Sequence, residues 1–264
     1  MGYCNPPIPW SELERRLSSR TAAEAVAEPL QLRPPDLRSG GTGSGRSGTE
    51  APPRRQGRPW AELHVHSTMS FLDGASEPEE LIDAAVDAGL EAIALTDHNG
   101  LYGAARFAQA AAGRGIGTVY GAEISLGLRA KIPGQIDPEA AHALVLARGV
   151  PGYRKLSAAL TRAHMAGTKN RPVIELEDLA AAAEQGSGDW YVLTGCRKGL
   201  LIPHLGDPDG GLDRLRRLVS MFGRDRLVVE LTRTGLPEDD ERIRHLCELA
   251  ARAGVRAVAT NQVH

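Results

Sequence analysis

Short apolar runs and amphipathic stretches alternate from Trp60 to the end of the chain. The apolar runs are five or six residues long and predict β-strands, and the apolar spacing of the longer stretches predicts helices. The predicted strands lie at 61–65, 91–95, 117–121, 142–147, 190–194, 226–231 and 256–260. The predicted helices lie at 77–89, 101–114, 151–165, 176–184, 210–222 and 239–253. Strands interleaved with helices in this way predict parallel βα units.

Two α/β architectures fit this order of elements, an open dinucleotide-binding sheet and a closed barrel. The dinucleotide-binding sheet carries a glycine-rich phosphate fingerprint after its first strand, and residues 66–76 contain none. The chain also lacks an internal repeat at the period of solenoid proteins. We therefore predict a closed or distorted α/β barrel.

The first 59 residues differ in composition from the rest of the chain. Ser11 is a good helix N-cap with Glu14 at capping-box spacing, so a short helix is expected at about 11–17. The following tract is dense in Gly, Ser, Pro and Arg and has few apolar residues, which predicts a disordered linker. We expect an N-terminal extension over 1–59 and a folded domain over 60–264.

Composition narrows the class of protein. The 264 residues carry a formal net charge of −2, so the chain as a whole is not drawn to nucleic acid by its charge. The three cysteines are too widely spaced for a disulfide framework, and free thiols suit a reducing, cytoplasmic compartment. No apolar run reaches membrane-spanning length, and the N-terminus lacks a signal-peptide pattern.

Two histidines and an aspartate lie close together in the segment LHVHSTMSFLDGAS. His64 and His66 are two residues apart on a predicted strand, so their side chains would share one face. Asp73 follows in a loop that can fold back toward them. Imidazole and carboxylate groups are common ligands of zinc and other divalent metals. The spacing therefore indicates a candidate metal site.

Further polar residues follow the ends of other predicted strands, where parallel βα proteins place their active sites. His142 is the exception, because it begins its predicted strand. Asp97 has two alternative roles, as a cap for the helix near Gly100 or as a carboxylate that orients His98. A single histidine at a strand end is usually an ordinary polar residue, but the set together predicts a shared cleft. The additional candidates are His98, Glu123, Cys196 and His264.

Several motifs resemble, in order, those of the polymerase and histidinol phosphatase (PHP) domain. After the segment around His64, these are ALTDHNGLYGAARFAQAA, GAEISL, HALVLARGVPGYRKLS, LTGCRKG and VATNQVH. Within that family the sequence is most similar to the version found in bacterial C-family DNA polymerases, especially the error-prone alpha subunit. The resemblance covers 60–264 and implies a distorted (β/α)7 barrel that holds up to three metals of zinc or manganese type.

The resemblance also implies a ligand set and exposes one departure from the family pattern. The implied metal ligands are His64, His66, Asp73, His98, Glu123, His142, Cys196 and His264. The ninth family position is an aspartate, but this chain has Gln262 there. Glutamine carries no negative charge and cannot act as a general base, so phosphoesterase or exonuclease activity is expected to be poor.

The resemblance implies three further expectations about the parent protein. The chain would be the N-terminal fragment of a polymerase whose catalytic domain, with its magnesium ions, its DNA and any translesion or replication partners, lies outside this sequence. The PHP domain itself would be structural and metal-binding. The alternatives are a free-standing metal-dependent phosphoesterase of the histidinol-phosphatase type, or an interaction scaffold without metal.

Overall fold

The computed structural model describes residues 60–127, 140–169, 171–184, 188–207 and 209–264. The short helix expected at 11–17 and the expected linker before Trp60 lie outside the described residues. Within the described part of the chain, every predicted strand and helix has an observed counterpart.

The strands and helices alternate as the hydrophobic pattern predicts. The strands are β1 (Ala61–Glu62), β2 (Ala92–Leu95), β3 (Gly117–Leu126), β4 (Ala141–Ala147), β5 (Trp190–Leu193), β6 (Leu227–Thr232) and β7 (Arg256–Thr260). The helices are α1 (Pro78–Asp87), α2 (Ala104–Ala111), α3 (Gly149–Ala166), α4 (Leu176–Glu184), α5 (Gly210–Phe222) and α6 (Asp239–Ala253), with a 3₁₀ turn at Ile202–His204. The largest differences are in α2, which is three residues shorter than predicted at each end, in β3, which runs five residues beyond its predicted end, and in β1, which is three residues shorter.

The seven strands form one sheet in sequence order, and β4 runs against its neighbours. β1, β2 and β3 are parallel to one another, and so are β5, β6 and β7. β4 pairs antiparallel with both β3 and β5. The expectation of parallel βα units throughout was therefore wrong at β4.

The connections on either side of β4 explain its direction. No helical pattern separates β3 from β4 in the sequence, and a chain that returns without a crossover helix pairs antiparallel. Two helices, α3 and α4, connect β4 to β5, and the end of β4 (Ala147) pairs with the start of β5 (Trp190). β5 therefore starts at the end of the barrel where β4 finishes, and the parallel order resumes.

Backbone hydrogen bonds between the two ends of the sheet nearly close it into a barrel. Val65 pairs in parallel with Val263 beyond the named strands. The N–H of His66 donates to the carbonyl oxygen of Val263 at 2.9 Å, and the N–H of Val263 donates to that of His64 at 2.9 Å. The distorted seven-strand barrel predicted from the sequence is confirmed by this architecture.

Apolar side chains fill part of the barrel interior and the layer between the sheet and the helices. The interior layer is built from Ala94, Leu144, Leu146, Leu193 and Val228, all of which are buried. Separate clusters pack α1 and α2, and then α3 to α6, against the outer surface of the sheet. None of the helices in the described residues is long and apolar enough to span a membrane.

Candidate metal centre

Along β4 and β6, the side chains that face the barrel interior are apolar in one part of the strand and polar at one end. Residues two apart on a strand share a face, so His142 lies on the face of buried Leu144, and Glu230 on that of buried Val228. His142 is at the start of β4, but β4 is antiparallel, so its start lies at the same end of the barrel as the ends of the parallel strands. The antiparallel strand thus places His142 with the other candidates.

Glu123 lies at the centre of four imidazole rings. Its Oε1 atom is 3.5 Å from Nε2 of His64 and 3.3 Å from Nδ1 of His142. Its Oε2 atom is 3.3 Å from Nε2 of His66 and 3.3 Å from Nε2 of His98. Glu123, His64, His66 and His142 are each at most 2% exposed and almost fully removed from water, whereas the side chain of His98 is 21% exposed. Glu123 lies within β3, whereas the sequence pattern predicted that it follows the strand.

Asp73 forms a second centre at the mouth of the cleft. Its Oδ2 atom lies 2.5 Å from Nδ1 of His66 and 3.1 Å from Nε2 of His98. Its Oδ1 atom lies 3.2 Å from Nδ1 of His264, whose side chain is 36% exposed. His66 and His98 contact both carboxylates, so the two centres form one continuous cluster.

Asp97 organises the loop that follows His66. It accepts hydrogen bonds from the backbone N–H and the hydroxyl of Ser67 and from the hydroxyl of Ser70. Ser70 Oγ in turn accepts the backbone N–H of His98 at 3.0 Å. The loop turns tightly at Gly74, where a Cβ would lie 2.0 Å from the carbonyl oxygen of Ser67. Asp97 therefore positions the loop and the backbone of His98, and it does not cap α2, the helix that follows it.

Glu230 belongs to the site but was not among the residues predicted from the sequence. Its Oε1 atom lies 2.7 Å from Nδ1 of His64 and accepts the hydroxyl of Thr260 at 2.6 Å. Its backbone N–H donates to Oγ1 of Thr194. The available signal was an acidic residue inside the otherwise apolar strand pattern RLVVEL, because a buried carboxylate requires partners.

Glu62 is a second missed residue and ties β1 to the segment after β7. It is 2% exposed, and its carboxylate accepts the backbone N–H of His64 and both the backbone and side-chain N–H groups of Asn261. Gln262, the next residue, has a positive φ of 51°. These contacts fix the turn that leads to His264.

Cys196 follows β5 in a tight turn beside the start of β4. It is 5% exposed, and its carbonyl oxygen accepts the N–H of Gly199 at 2.7 Å. Gly199 pairs with His142 as an isolated parallel bridge. The turn thus supports the backbone of His142, and the assignment of the Cys196 sulfur as a ligand stays a prediction.

Charge pairing perturbs the titration of the cluster. Burial lowers the pKa of His64, but the carboxylates of Glu230 and Glu123 outweigh it and raise this pKa to about 10. Burial by itself would raise the pKa of Glu123 and that of Asp73. The surrounding histidines nevertheless hold the pKa of Glu123 and that of Asp73 far below their usual range. Of the histidines in the cluster, His64 and His66 have a raised pKa, so the carboxylates favour the protonated form of these two rings.

The donor set fits divalent metal ions. Three groups of side chains each have ligand atoms within 4.8 Å of one another: His64, His66 and Glu123; His66, Asp73 and His98; and His98, Glu123 and His142. Among the described residues, Nε2 of His64, Nε2 of His66 and Oε1 of Glu123 are buried without a hydrogen-bond partner. Buried polar atoms are normally satisfied, and a cation would satisfy these three together.

Comparison with known proteins agrees with this architecture. A family model described as the PHP domain matches residues 62–234. An error-prone DNA polymerase of Mycolicibacterium paratuberculosis is 48% identical over 269 residues, covering 100% of this chain and 24% of that protein. The error-prone DNA polymerase of Cutibacterium acnes is 45% identical and covers 100% of this chain and 23% of that protein. The chain thus spans about a quarter of the length of these relatives.

Solved structures share the fold at low sequence identity. A putative metal-dependent phosphoesterase from Bifidobacterium adolescentis superposes with a TM-score of 0.54 and 17% identity, over 79% of this chain and 88% of that one. An amidohydrolase from Chromobacterium violaceum gives a TM-score of 0.51 and 21% identity, over 77% and 87% respectively. The barrel, its cluster and the family match lead to one conclusion: the chain belongs to the PHP domain family.

Proposed function

We propose that this chain is the metal-binding PHP domain, residues 60–264 with their N-terminal extension, of an error-prone DNA polymerase. The observation that carries this proposal is the identity of 45–48% to proteins named error-prone DNA polymerase, maintained over 100% of the chain. The parent enzyme would extend DNA in the cytoplasm during damage-associated synthesis and repair. Magnesium in its polymerase domain, DNA and other translesion or replication proteins would be its partners.

The buried cluster would hold one or more divalent ions of zinc or manganese type. Support comes from the three compact ligand groups and from the buried nitrogens of His64 and His66 that lack hydrogen-bond partners among the described residues. A bound ion would supply Lewis acidity and would replace the histidine protons as the balance for Glu123 and Asp73. His142, Cys196 and His264 complete the proposed ligand set.

Within this proposal the PHP domain is mainly structural. Gln262 occupies the position where the family pattern has an aspartate, and an amide offers neither negative charge nor a general base. The cluster would therefore bind metal while hydrolysing phosphoesters poorly. The ion would link β1, β2, β3 and β4 at the end of the barrel and stabilise the fold.

A phosphoesterase is the second candidate function. The observation in its favour is the cleft itself, in which the side chains of Asp73 and His98 are each 21% exposed and accessible to a small substrate. The structural neighbours are only 17–21% identical to this chain, so their similarity shows the fold alone and not the activity. The polymerase proposal has the stronger sequence support.

Two assays separate these functions. Elemental analysis and calorimetry of the purified chain with zinc and manganese test metal binding, and single-stranded DNA and a generic phosphomonoester test hydrolysis. We expect metal binding with little turnover. Robust, chelator-sensitive hydrolysis would favour the phosphoesterase, and absence of metal binding would favour the scaffold without metal.

A test of the proposed polymerase activity requires the full-length parent protein. Primer extension on undamaged and lesion-containing templates would test polymerase activity directly. We expect nucleotide incorporation opposite the lesion, and a protein that extends neither template would contradict the polymerase proposal.

A further inference from the structure

Glu230 contacts the candidate metal-ligand cluster through His64. The two residues are both buried, at 1% and 0% exposure, and Glu230 belongs to none of the three compact ligand groups. Glu230 lies on β6. Strand β7 separates β6 from the segment after β1 that contains His64. The carboxylate of Glu230 therefore reaches His64 across the barrel interior and acts on the cluster through that ring.

The contact determines which nitrogen of His64 faces the cluster. Glu230 Oε1 lies 2.7 Å from Nδ1, and a carboxylate accepts hydrogen bonds, so Nδ1 carries the proton. Nε2 is then the nitrogen directed toward Glu123, at 3.5 Å, and it has no hydrogen-bond partner among the described residues. One contact thus sets the ring orientation of His64 and the tautomer that the neutral ring would adopt as a metal ligand.

Two threonines hold the Glu230 side of this pair in place. The hydroxyl of Thr260 donates to Oε1 at 2.6 Å, and the backbone N–H of Glu230 donates to Oγ1 of Thr194 at 3.0 Å. Glu230 and Thr260 lie on β6 and β7, and Thr194 directly follows β5, so Thr260 anchors the carboxylate and Thr194 anchors the backbone of Glu230. A purely apolar strand would fill this space without the desolvation cost of a buried carboxylate.

We infer that Glu230 is a positioning residue of the metal centre, which fixes His64 with Nδ1 protonated and Nε2 available as a ligand. This inference rests on the metal-binding function proposed above. Histidine ligands commonly donate their second ring N–H to a carboxylate, and loss of that carboxylate weakens metal binding by roughly 10- to 100-fold. Thr260 supports the same arrangement through its hydroxyl.

The first test observes the histidine ring without metal. In the ¹⁵N-histidine-labelled full chain, the Nδ1–H of His64 should give a slowly exchanging ring resonance, which His64→Gln assigns by its disappearance. Glu230→Ala should abolish this protected resonance. Asp239→Asn is the matched control, because it alters a buried carboxylate at the start of α6 that bonds Thr234, Leu236 and Arg242. An unchanged resonance in Glu230→Ala would overturn the inference.

The second test measures zinc affinity by competition with a chromophoric chelator. Glu230→Ala should weaken zinc binding by at least about 10-fold, while Asp239→Asn should leave it within about 2-fold even if its melting temperature falls. Equal affinity of Glu230→Ala and wild type would contradict a positioning role. Wild-type protein that binds no zinc would instead overturn the metal-binding function, and the ring resonance would still decide the Glu230 contact.

Discussion

Replacing Glu123 with glutamine tests the centre of the cluster with almost no change in side-chain volume. Glu123 lies 3.3–3.5 Å from four imidazole nitrogens and belongs to two of the three compact ligand groups. Glu123→Gln removes its charge at a site that is 1% exposed. Both the stability of the ion-free protein and its response to metal should therefore change.

The magnitude follows from the burial of these groups. Removing one partner of a buried ion pair costs about 3–5 kcal/mol, which is roughly 10 °C in melting temperature for a domain of ~200 residues. For the wild type, zinc at about 100 times its dissociation constant should add about 2.7 kcal/mol, or roughly 5–10 °C. In Glu123→Gln the zinc-dependent increase should fall to a small fraction of that value.

The destabilisation should also depend on pH. His64 has a folded-state pKa of about 10 against an ordinary value of 6.5, so its pairing stabilises the ion-free fold fully below pH 6.5. This contribution declines as the pH rises toward the folded-state value. The stability difference between wild type and Glu123→Gln should therefore shrink between pH 6.5 and 10.

The assay is thermal unfolding with chelator or with added zinc, at several pH values. Glu248→Gln, at an exposed position on α6, is the matched control and should behave as wild type in both conditions. A zinc-dependent increase in Glu123→Gln equal to that of wild type would refute the assignment of Glu123 as a ligand.

Three further predictions concern other parts of the cluster. Gln262→Asp should increase zinc or manganese occupancy and raise hydrolysis of single-stranded DNA above the wild-type level; unchanged metal content by elemental analysis would count against it. Asp97→Asn should destabilise the fold by about 1–3 kcal/mol in urea unfolding, because it weakens the hydrogen bonds from Ser67 and Ser70. Zinc binding at pH 7 should release protons, because the raised pKa of His64 keeps its ring charged until metal displaces the proton. Calorimetry in two buffers of different ionisation enthalpy should detect this release, and identical heats would contradict it.

The order of strands and helices and most of the candidate ligands can be predicted from the amino-acid pattern and the motifs alone. Strand positions followed from apolar runs, and the shared face of His64 and His66 followed from the two-residue repeat of an extended strand. These properties depend on neighbours in the chain, so local pattern suffices to predict them. The same local argument placed His98 beside the pair once strand ends were assumed to converge.

Features that depend on strand direction and on pairing between distant parts of the chain could not be predicted in this way. His142 joins the cluster because β4 runs antiparallel, which no pattern within β4 itself indicates. Glu230 meets His64 across 166 residues of sequence, and Glu62 meets Asn261 across 199. Strand alternation shows which face a side chain occupies, but closure of the barrel determines what lies opposite. The contacts of Glu230 and Glu62 therefore could not be predicted before the structure showed that β1 lies beside the segment after β7.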